Sequence, residues 1–313
     1  MKVLLGLRGL KKLTRAVVTL GVFDGLHKAH RNIIRGAVST ARRVKGRSVV
    51  VTFYPHPQGQ RSLYSLKHRI RLLQELGVDV CVVIKFTKSF SQISASEFIE
   101  NVLISKLRPY YILVGENFMF GRGALGNVRL LKKYAHIYNF QLKVFPVAKS
   151  HSRVISSTHI RSLIAAGKLK NAYRLLGRRV SVFGRVISGN GLGTSLGFPT
   201  ANINPHHEII PPSGIYAVKV KLESKTFNGA CFIGTKQTFG SESHKATKPN
   251  ENLRIEVHIL DFKKDIYGKD LEAQFIKRIR GEKAFASKEL LKKQISKDLK
   301  IARRILHHNI SAF

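Results

Sequence analysis

The chain has 313 residues, 43% hydrophobic and 9% aromatic, which suits two ordinary folded domains and excludes a disordered tail. Its 55 Lys and Arg against 18 Asp and Glu give a formal net charge of +37, so its surface attracts polyanions such as nucleotides, nucleic acid and acidic membranes. The basic residues recur along the whole chain, which favours a solvated basic surface over an RNA-binding stripe. No stretch reaches the roughly 18 apolar residues of a membrane span, and Arg8, Lys11 and Lys12 break the run VLLGL before it could serve as a secretory core. Cys81 and Cys231 lie in apolar, strand-like runs where thiols behave as small buried hydrophobes, so no disulfide is implied and a reducing cytoplasm is expected.

In chain order, VVTLGVF (17–23), VVVTF (49–53), VDVCVVIKF (78–86), YYILVG (110–115) and LKVFPV (142–147) read as buried parallel strands. Between them HRNIIRGAVSTARRVKG, LKHRIRLLQELG, SASEFIENVLISKL and GNVRLLKKYAHIY carry apolar residues at helical spacing, and Ser94 with Glu97 forms a capping box. This alternation predicts an open α/β sheet of Rossmann-like type, with ligands at the carboxyl ends of its strands. After two more helical stretches, STHIRSLIAAG and KLKNAYRLLG, the texture changes near residue 178. VSVFGRVISG, GIYAVKVKL, TFNGACFIG and NLRIEVHIL are short strands with Gly, Pro or Asn between them, predicting an antiparallel barrel or sandwich. SKELLKKQISKDLKIARRIL should form a terminal helix over one barrel face. The expected domains are 1–178 and 179–313.

The first fifty residues contain twelve Lys and Arg and one carboxylate, Asp24, which stands beside Gly25, His27 and His30 in GVFDGLHKAH. Gly25 allows a tight turn after the first strand, and a helix is expected to begin near His27 to Ala29. Imidazoles three residues apart would then project to one side of the first helical turn and join the positive end of the dipole, a seat for a nucleotide triphosphate. Two other readings stay open at this point: Asp24, His27 and His30 as metal ligands, short of a fourth, and two incidental histidines at a helix start. TFYPHP (52–57) follows the second strand and GENFMFGRG (115–123) the fourth; ISSTHIR (155–161) precedes a helix. There Ser156, Ser157 and Thr158 offer capping hydroxyls and Arg161 adds a charge one turn on, a second anion site.

GNGLGTSLGFPTANI (189–203) has Gly189, Gly191, Gly193 and Gly197 followed by Pro199, Thr200 and Asn202. Such glycines let backbone amides approach phosphate, and a hydroxyl and an amide oxygen two residues apart can face one magnesium ion. In RIEVHILDF (254–262) alternation puts Ile255, Val257 and Ile259 on one face and Glu256 and His258 on the other, which by pattern alone is a polar outer face.

GVFDGLHKAH, TFYPHP, VGENFMFG and ISSTHIR, in this order, resemble the N-terminal half of the prokaryotic bifunctional riboflavin kinase/FMN adenylyltransferase (FAD synthetase) family, and GFPTAN resembles its flavokinase signature. IYGKDLEAQFIKRIR (266–280) is similar to the family's closing segment, so the likeness runs from about residue 16 to 305. The resemblance implies a nucleotidyltransferase domain and a riboflavin kinase barrel, with ATP, riboflavin, FMN and FAD as substrates or products and magnesium as cofactor. It implies Glu256 as the base that activates riboflavin, Thr200 and Asn202 as metal ligands, and the glycine loop with Pro199 around the ATP phosphates. For adenylylation it implies His27, His30 and Arg161 at the reacting phosphorus, with Gly21, Phe23, Asp24, Gly25, Asn117 and Ser156 to Thr158 shaping the nucleotide pocket. The chain departs from the family at Ala29, where Gly is usual, at Leu192 and Thr194, where basic residues are usual, and at Tyr54, Gln58 and Gln237. A single-activity kinase, or a basic RNA-binding protein on this fold, are the alternative expectations.

Overall fold

The computed structural model describes all residues except 11–12, 151–152, 205–208, 236–252 and 309–313, so Gln237 lies outside the described residues. The chain forms two compact units, Met1–Ser62 with Leu66–Ser157, and Leu63–Ser65 with Thr158–Phe313.

In the first unit, β1 (Lys2–Leu5), β2 (Ala16–Leu20), β3 (Arg47–Tyr54), β4 (Val80–Lys85), β5 (Pro109–Gly115) and β6 (Gln141–Phe145) form a sheet in the order β1-β4-β3-β2-β5-β6. All its pairings are parallel. The crossovers run through α1 (Lys28–Arg43), α2 (Leu66–Glu75), α3 (Lys88–Ser91), α4 (Ala95–Glu97) with the π-helix Phe98–Leu107 that continues it, and α5 (Val128–Tyr138). The Ser94–Glu97 capping box is present in both directions. β2 is buried along its length because both faces are covered: Ala16, Val18 and Leu20 join one core cluster. Val17 instead packs with Ile33, Ala37 and Ala41 of α1 and Leu113 of β5. The chain leaves β2 toward β3 and returns at β5 on β2's other side, so the strand order reverses between β2 and β5. In open α/β sheets that reversal opens a crevice at the carboxyl ends of the two strands, and here those ends lead into GVFDGLH and GENF.

Two readings from the sequence need correction. VVTLGVF stops being a strand at Leu20, since Phe23 adopts a left-handed conformation (φ 51°) and Asp24–Leu26 forms a single 3-10 turn. The N-terminal run VLLGL, read from the sequence only as too short for a secretory core, contributes β1, an edge strand on β4.

β7 (Lys149–Ser150) and β8 (Arg153–Val154) make a small hairpin. α6 (Ser157–Ala165) and α7 (Leu169–Leu176) follow it.

In the second unit, β9 (Ser181–Ile187), β10 (Ala201–Asn204), β11 (Gly214–Leu222), β12 (Lys225–Thr235), β13 (Leu253–Ile259) and β14 (Asp270–Arg280) close into a barrel in the order β10-β13-β12-β11-β14-β9. Its neighbours are antiparallel, and β9 seals it against β10. β10 was read as part of a loop because four residues ending in Asn are too short for a period-2 pattern to show. The glycine stretch is not all loop either: Leu192–Ser195 winds into one helical turn, α8. α9 (Lys288–His308) covers one barrel face, as expected, setting Ala302 and Leu306 against Ala217, Ala230 and Leu260. Asp298 of α9, 3% exposed, accepts bonds of 2.8 to 3.1 Å from the Arg280 guanidinium of β14 and ties the helix down.

Candidate active sites

The first site is built on the turn after β2. His27 sits immediately before α1 and caps it: its Nδ1 accepts from the His30 amide at 3.4 Å. The two imidazoles stack, 3.6 Å between centroids and 20° from parallel, and the Phe23 ring meets His30 edge-on at 5.3 Å. With the His27 Nδ1 lone pair engaged, its proton belongs on Nε2. Burial pushes the His27 pKa down to about 4. His30 is held well below its ordinary value, first by burial and then by the charges of His27 and Arg69. Both imidazoles are therefore neutral near pH 7, so beside the positive end of the helix dipole they bring N–H donors and no charge of their own. His27 is only 4% exposed.

Phe23, Asp24 and Gly25 are buried as well, so they shape the turn from beneath. The metal reading of Asp24, His27 and His30 fails: among the described residues no group of three or more His, Cys, Asp and Glu is arranged to hold an ion. Ser157, the first residue of α6, donates its hydroxyl to the Asp24 carbonyl oxygen at 2.9 Å. ISST is thus stitched to GVFDG across 133 positions of sequence; that hydroxyl is a tether here rather than the helix cap expected. Ser156 is half-buried and Thr158 exposed, and Arg161 donates to Thr158 Oγ1 at 3.4 Å. Asn117 is exposed in the turn after β5, at the same strand-order reversal as His27, while Gly21 pairs its amide with Val51 O at 3.1 Å.

Arg69 of α2 was missed. At 2% exposure it reaches the Val22 carbonyl oxygen, Thr52 Oγ1 (3.3 Å) and the Phe53 carbonyl oxygen (3.3 Å), joining the turn that follows β2 to the last residues of β3. Burial lowers its pKa, and the Asp24 charge opposes that shift. The signal was available: Arg69 occupies the apolar stripe between Leu66 and Leu73, where a charge needs buried partners. Also unremarked were Phe53, Phe86 and Phe90, with ring centroids 5.7 to 6.1 Å apart, which form a half-buried aromatic wall at the carboxyl ends of β3 and β4.

The second site lies where β10 meets β13. Asn202 pairs directly with Glu256, and Thr200 donates its hydroxyl to Glu256 Oε2 at 3.3 Å. Alternation holds as expected: Ile255, Val257 and Ile259 are buried, whereas Glu256 and His258 are half-exposed. Arg254 Nη1 lies 3.6 Å from Glu256 Oε1, so the carboxylate is flanked by a cation and a hydroxyl. Gly189 lies against the Asn202 amide so closely that a Cβ there would stand 1.9 Å from Nδ2, and a Cβ on Gly193 would stand 2.9 Å from Thr200 Oγ1. Gly191 and Gly197 have open space around them and carry instead positive φ, 69° and 86°.

A cavity of about 300 Å³ opens beside Pro199 and Thr200, walled by Val257, Ile259, Lys263 and Tyr267. Thr194 lines this cavity, and Lys263 and Lys264 bring positive charge to the same wall.

A family model described as FAD synthetase matches residues 10–159, and one described as riboflavin kinase matches residues 176–306. The bifunctional riboflavin kinase/FMN adenylyltransferase of Buchnera aphidicola subsp. Schizaphis graminum is 36% identical, over 97% of this chain and 98% of its own. That of Escherichia coli strain K12 is 34% identical, over 95% and 96%. Among solved structures, one described as a macrolide-efflux protein from Streptococcus pneumoniae aligns over 97% of this chain and 99% of its own, at 28% identity and a TM-score of 0.79. Among the described residues no helix is long and apolar enough to cross a membrane. With both halves matched by the two family models, and relatives of that one description aligned nearly end to end, the chain belongs to the bifunctional riboflavin kinase/FMN adenylyltransferase family.

Proposed function

We propose that the chain phosphorylates riboflavin to FMN with ATP in its barrel half, and transfers the adenylyl group of a second ATP to FMN in its N-terminal half, giving FAD and pyrophosphate. The observation that carries the reading is the meeting of Glu256, Thr200 and Asn202 at the β10–β13 junction of a chain whose two halves match both enzymes. Residues 1–178 are assigned to adenylyl transfer and 179–313 to phosphorylation, in keeping with the spans of the two matches. The free, buried thiols of Cys81 and Cys231 support a reducing cytoplasm as its place of work.

For phosphorylation, Glu256 is the general base that takes the proton of the terminal ribityl hydroxyl as its oxygen attacks the γ-phosphate; ADP leaves. Arg254 Nη1, 3.6 Å from Glu256 Oε1, sets a cation beside that carboxylate. The oxygens of Thr200 and Asn202 fit magnesium, a hard ion that takes one or two protein ligands and binds chiefly through substrate phosphates and water. Gly189 leaves room for the Asn202 side-chain amide, whose Nδ2 a Cβ would meet at 1.9 Å, and Gly193 for the Thr200 hydroxyl, which a Cβ would meet at 2.9 Å. When bound, the ion neutralises charge on the transferred phosphoryl group. The backbone amides of the 189–197 loop, with Pro199 beyond it, serve the phosphates, and Lys263 and Lys264 supply charge that Leu192 and Thr194 lack.

For adenylyl transfer the FMN phosphate is itself the nucleophile, so the protein needs only to orient and to stabilise charge at the α-phosphorus. His27 donates through Nε2–H, His30 supports it by stacking, and the α1 amino end adds its partial charge. Arg161, four residues after Ser157, is the cation of this half, and Asn117 and Ser156 to Thr158 shape the pocket. The Phe53, Phe86 and Phe90 wall offers the isoalloxazine a stacking surface.

The test is incubation with riboflavin, ATP and magnesium, followed by chromatography. FMN and FAD should both form; FMN alone would leave the kinase half standing and remove the adenylyltransferase half.

A further inference from the structure

β13 carries three polar residues in succession on its outer face, Arg254, Glu256 and His258. The first two belong to the phosphorylation site described above; His258 has no part in it yet. The β10–β13 ladder pairs Asn202 with Glu256 and Ala201 with Val257, and its next rung in antiparallel register would set Thr200 against His258. β10 begins at Ala201, and Pro199 just before Thr200 has no amide hydrogen to extend the ladder. Side chains take over where the backbone pairing ends. His258 Nδ1 lies 2.8 Å from the Pro199 carbonyl oxygen, and Thr200 Oγ1 lies 3.3 Å from Glu256 Oε2.

A carbonyl oxygen can only accept, so His258 Nδ1 carries the proton and the ring has one defined tautomer. The Phe198 ring meets the imidazole at 84°, with centroids 6.2 Å apart, which fixes its plane. Phe198 donates its own amide to Gly193 O at 2.7 Å, so residues 198 and 199 are held from two sides, by the glycine loop and by β13. What lies between these anchors and β10 is Thr200.

We propose that His258 is a positioning residue for phosphoryl transfer: its Nδ1–H holds the Pro199 carbonyl and thereby sets Thr200 and Asn202 where magnesium and the ATP phosphates bind. His258 touches no reacting atom in this role. The inference rests on the reading of the barrel half as the kinase.

Two conservative replacements in the full-length protein isolate the bond. His258→Asn places an amide nitrogen near the position of Nδ1, whereas His258→Gln, one methylene longer, places it near Nε2. Riboflavin phosphorylation is followed against magnesium and ATP concentration, the affinity for magnesium with a non-hydrolysable ATP analogue is read by calorimetry without turnover, and adenylyl transfer from supplied FMN is measured in the same samples. His258→Gln should raise the half-saturating magnesium concentration and the KM for ATP by about tenfold, in line with one lost hydrogen bond, with a smaller fall in kcat. His258→Asn should recover most of that change, and adenylyl transfer should be unaltered in both. Wild-type constants in His258→Gln, or equal impairment in the two variants, would overturn the proposal. A wild-type protein that does not phosphorylate riboflavin would instead overturn the kinase reading on which it rests.

Discussion

At the end of β2, His27 accepts a hydrogen bond through Nδ1 and is 4% exposed; on β13, His258 donates through the same ring atom to a carbonyl and is half-exposed. The two regions differ in the same sense throughout. The first is a buried turn with left-handed residues at Phe23, Gly25 and Leu26, closed by neutral imidazoles and by Arg69 underneath. The second is a row of polar side chains on the outer face of a strand, with a carboxylate among them. The difference follows the chemistry assigned to each. Adenylyl transfer brings its own nucleophile and needs donors in a dry site, whereas phosphorylation must deprotonate an alcohol and needs an ionised base within reach of water.

The comparison breaks most sharply at Glu256. Glu256→Gln keeps the size and a hydrogen-bond acceptor for Thr200 but removes the base, so riboflavin phosphorylation should fall by about 10²–10⁴. Adenylyl transfer from supplied FMN should stay at the wild-type rate. Equal loss of both activities would mean that the halves are not chemically separate. His27→Ala is the mirror experiment: it removes an Nε2–H donor and the α1 cap together. Adenylyl transfer should drop by about 10²–10³, with about 1 kcal/mol of stability lost through the cap. Phosphorylation should persist.

The buried imidazole pair also sets a pH dependence. The His27 pKa falls from its ordinary 6.5 to about 4, so between these values the unfolded chain binds a proton that the folded chain refuses. Stability should therefore decline as pH drops through that window, by up to about 3 kcal/mol for this imidazole. Urea unfolding at several pH values measures the slope, and His27→Gln should flatten it. Adenylyl transfer should show no imidazole titration between about pH 6 and 8. An acid limb near the ordinary histidine value in that range would show that His27 is solvated and cationic after all.

The long apolar runs showed five of the six sheet strands, because strands buried on both faces leave a continuous hydrophobic signal, and short runs between Gly, Pro or Asn showed four of the six barrel strands. The sequence reading did not show β1 or β10, each of four residues, or β14, whose segment was singled out only by resemblance. Residue identity and the family resemblance singled out His27, Thr200, Asn202 and Glu256, and the fold brings the last three together at the β10–β13 junction. Charge state was not legible: spacing put His27 and His30 at a positive helix end, and only burial reveals them as neutral. Nor was long-range tethering. Ser157 looked like an ordinary cap until it was found bonded to Asp24 O, and Arg69 and His258 act on Val22, Phe53 and Pro199 through backbone oxygens that no residue pattern encodes.

The finest division runs inside the glycine loop. A methyl group on Gly189 would collide with the Asn202 amide at 1.9 Å, while one on Gly191 would meet nothing within 4 Å. Gly191 needs its freedom for a positive φ of 69° alone. Gly189→Ala should displace Asn202 and raise the magnesium requirement of phosphorylation by about tenfold, whereas Gly191→Ala should add about 1–2 kcal/mol of backbone strain and leave that requirement unchanged. Titrating magnesium against the rate of FMN formation separates the two. If both substitutions shifted the magnesium curve alike, the glycines would be serving loop conformation only, and clearance around Asn202 would lose its part in metal binding.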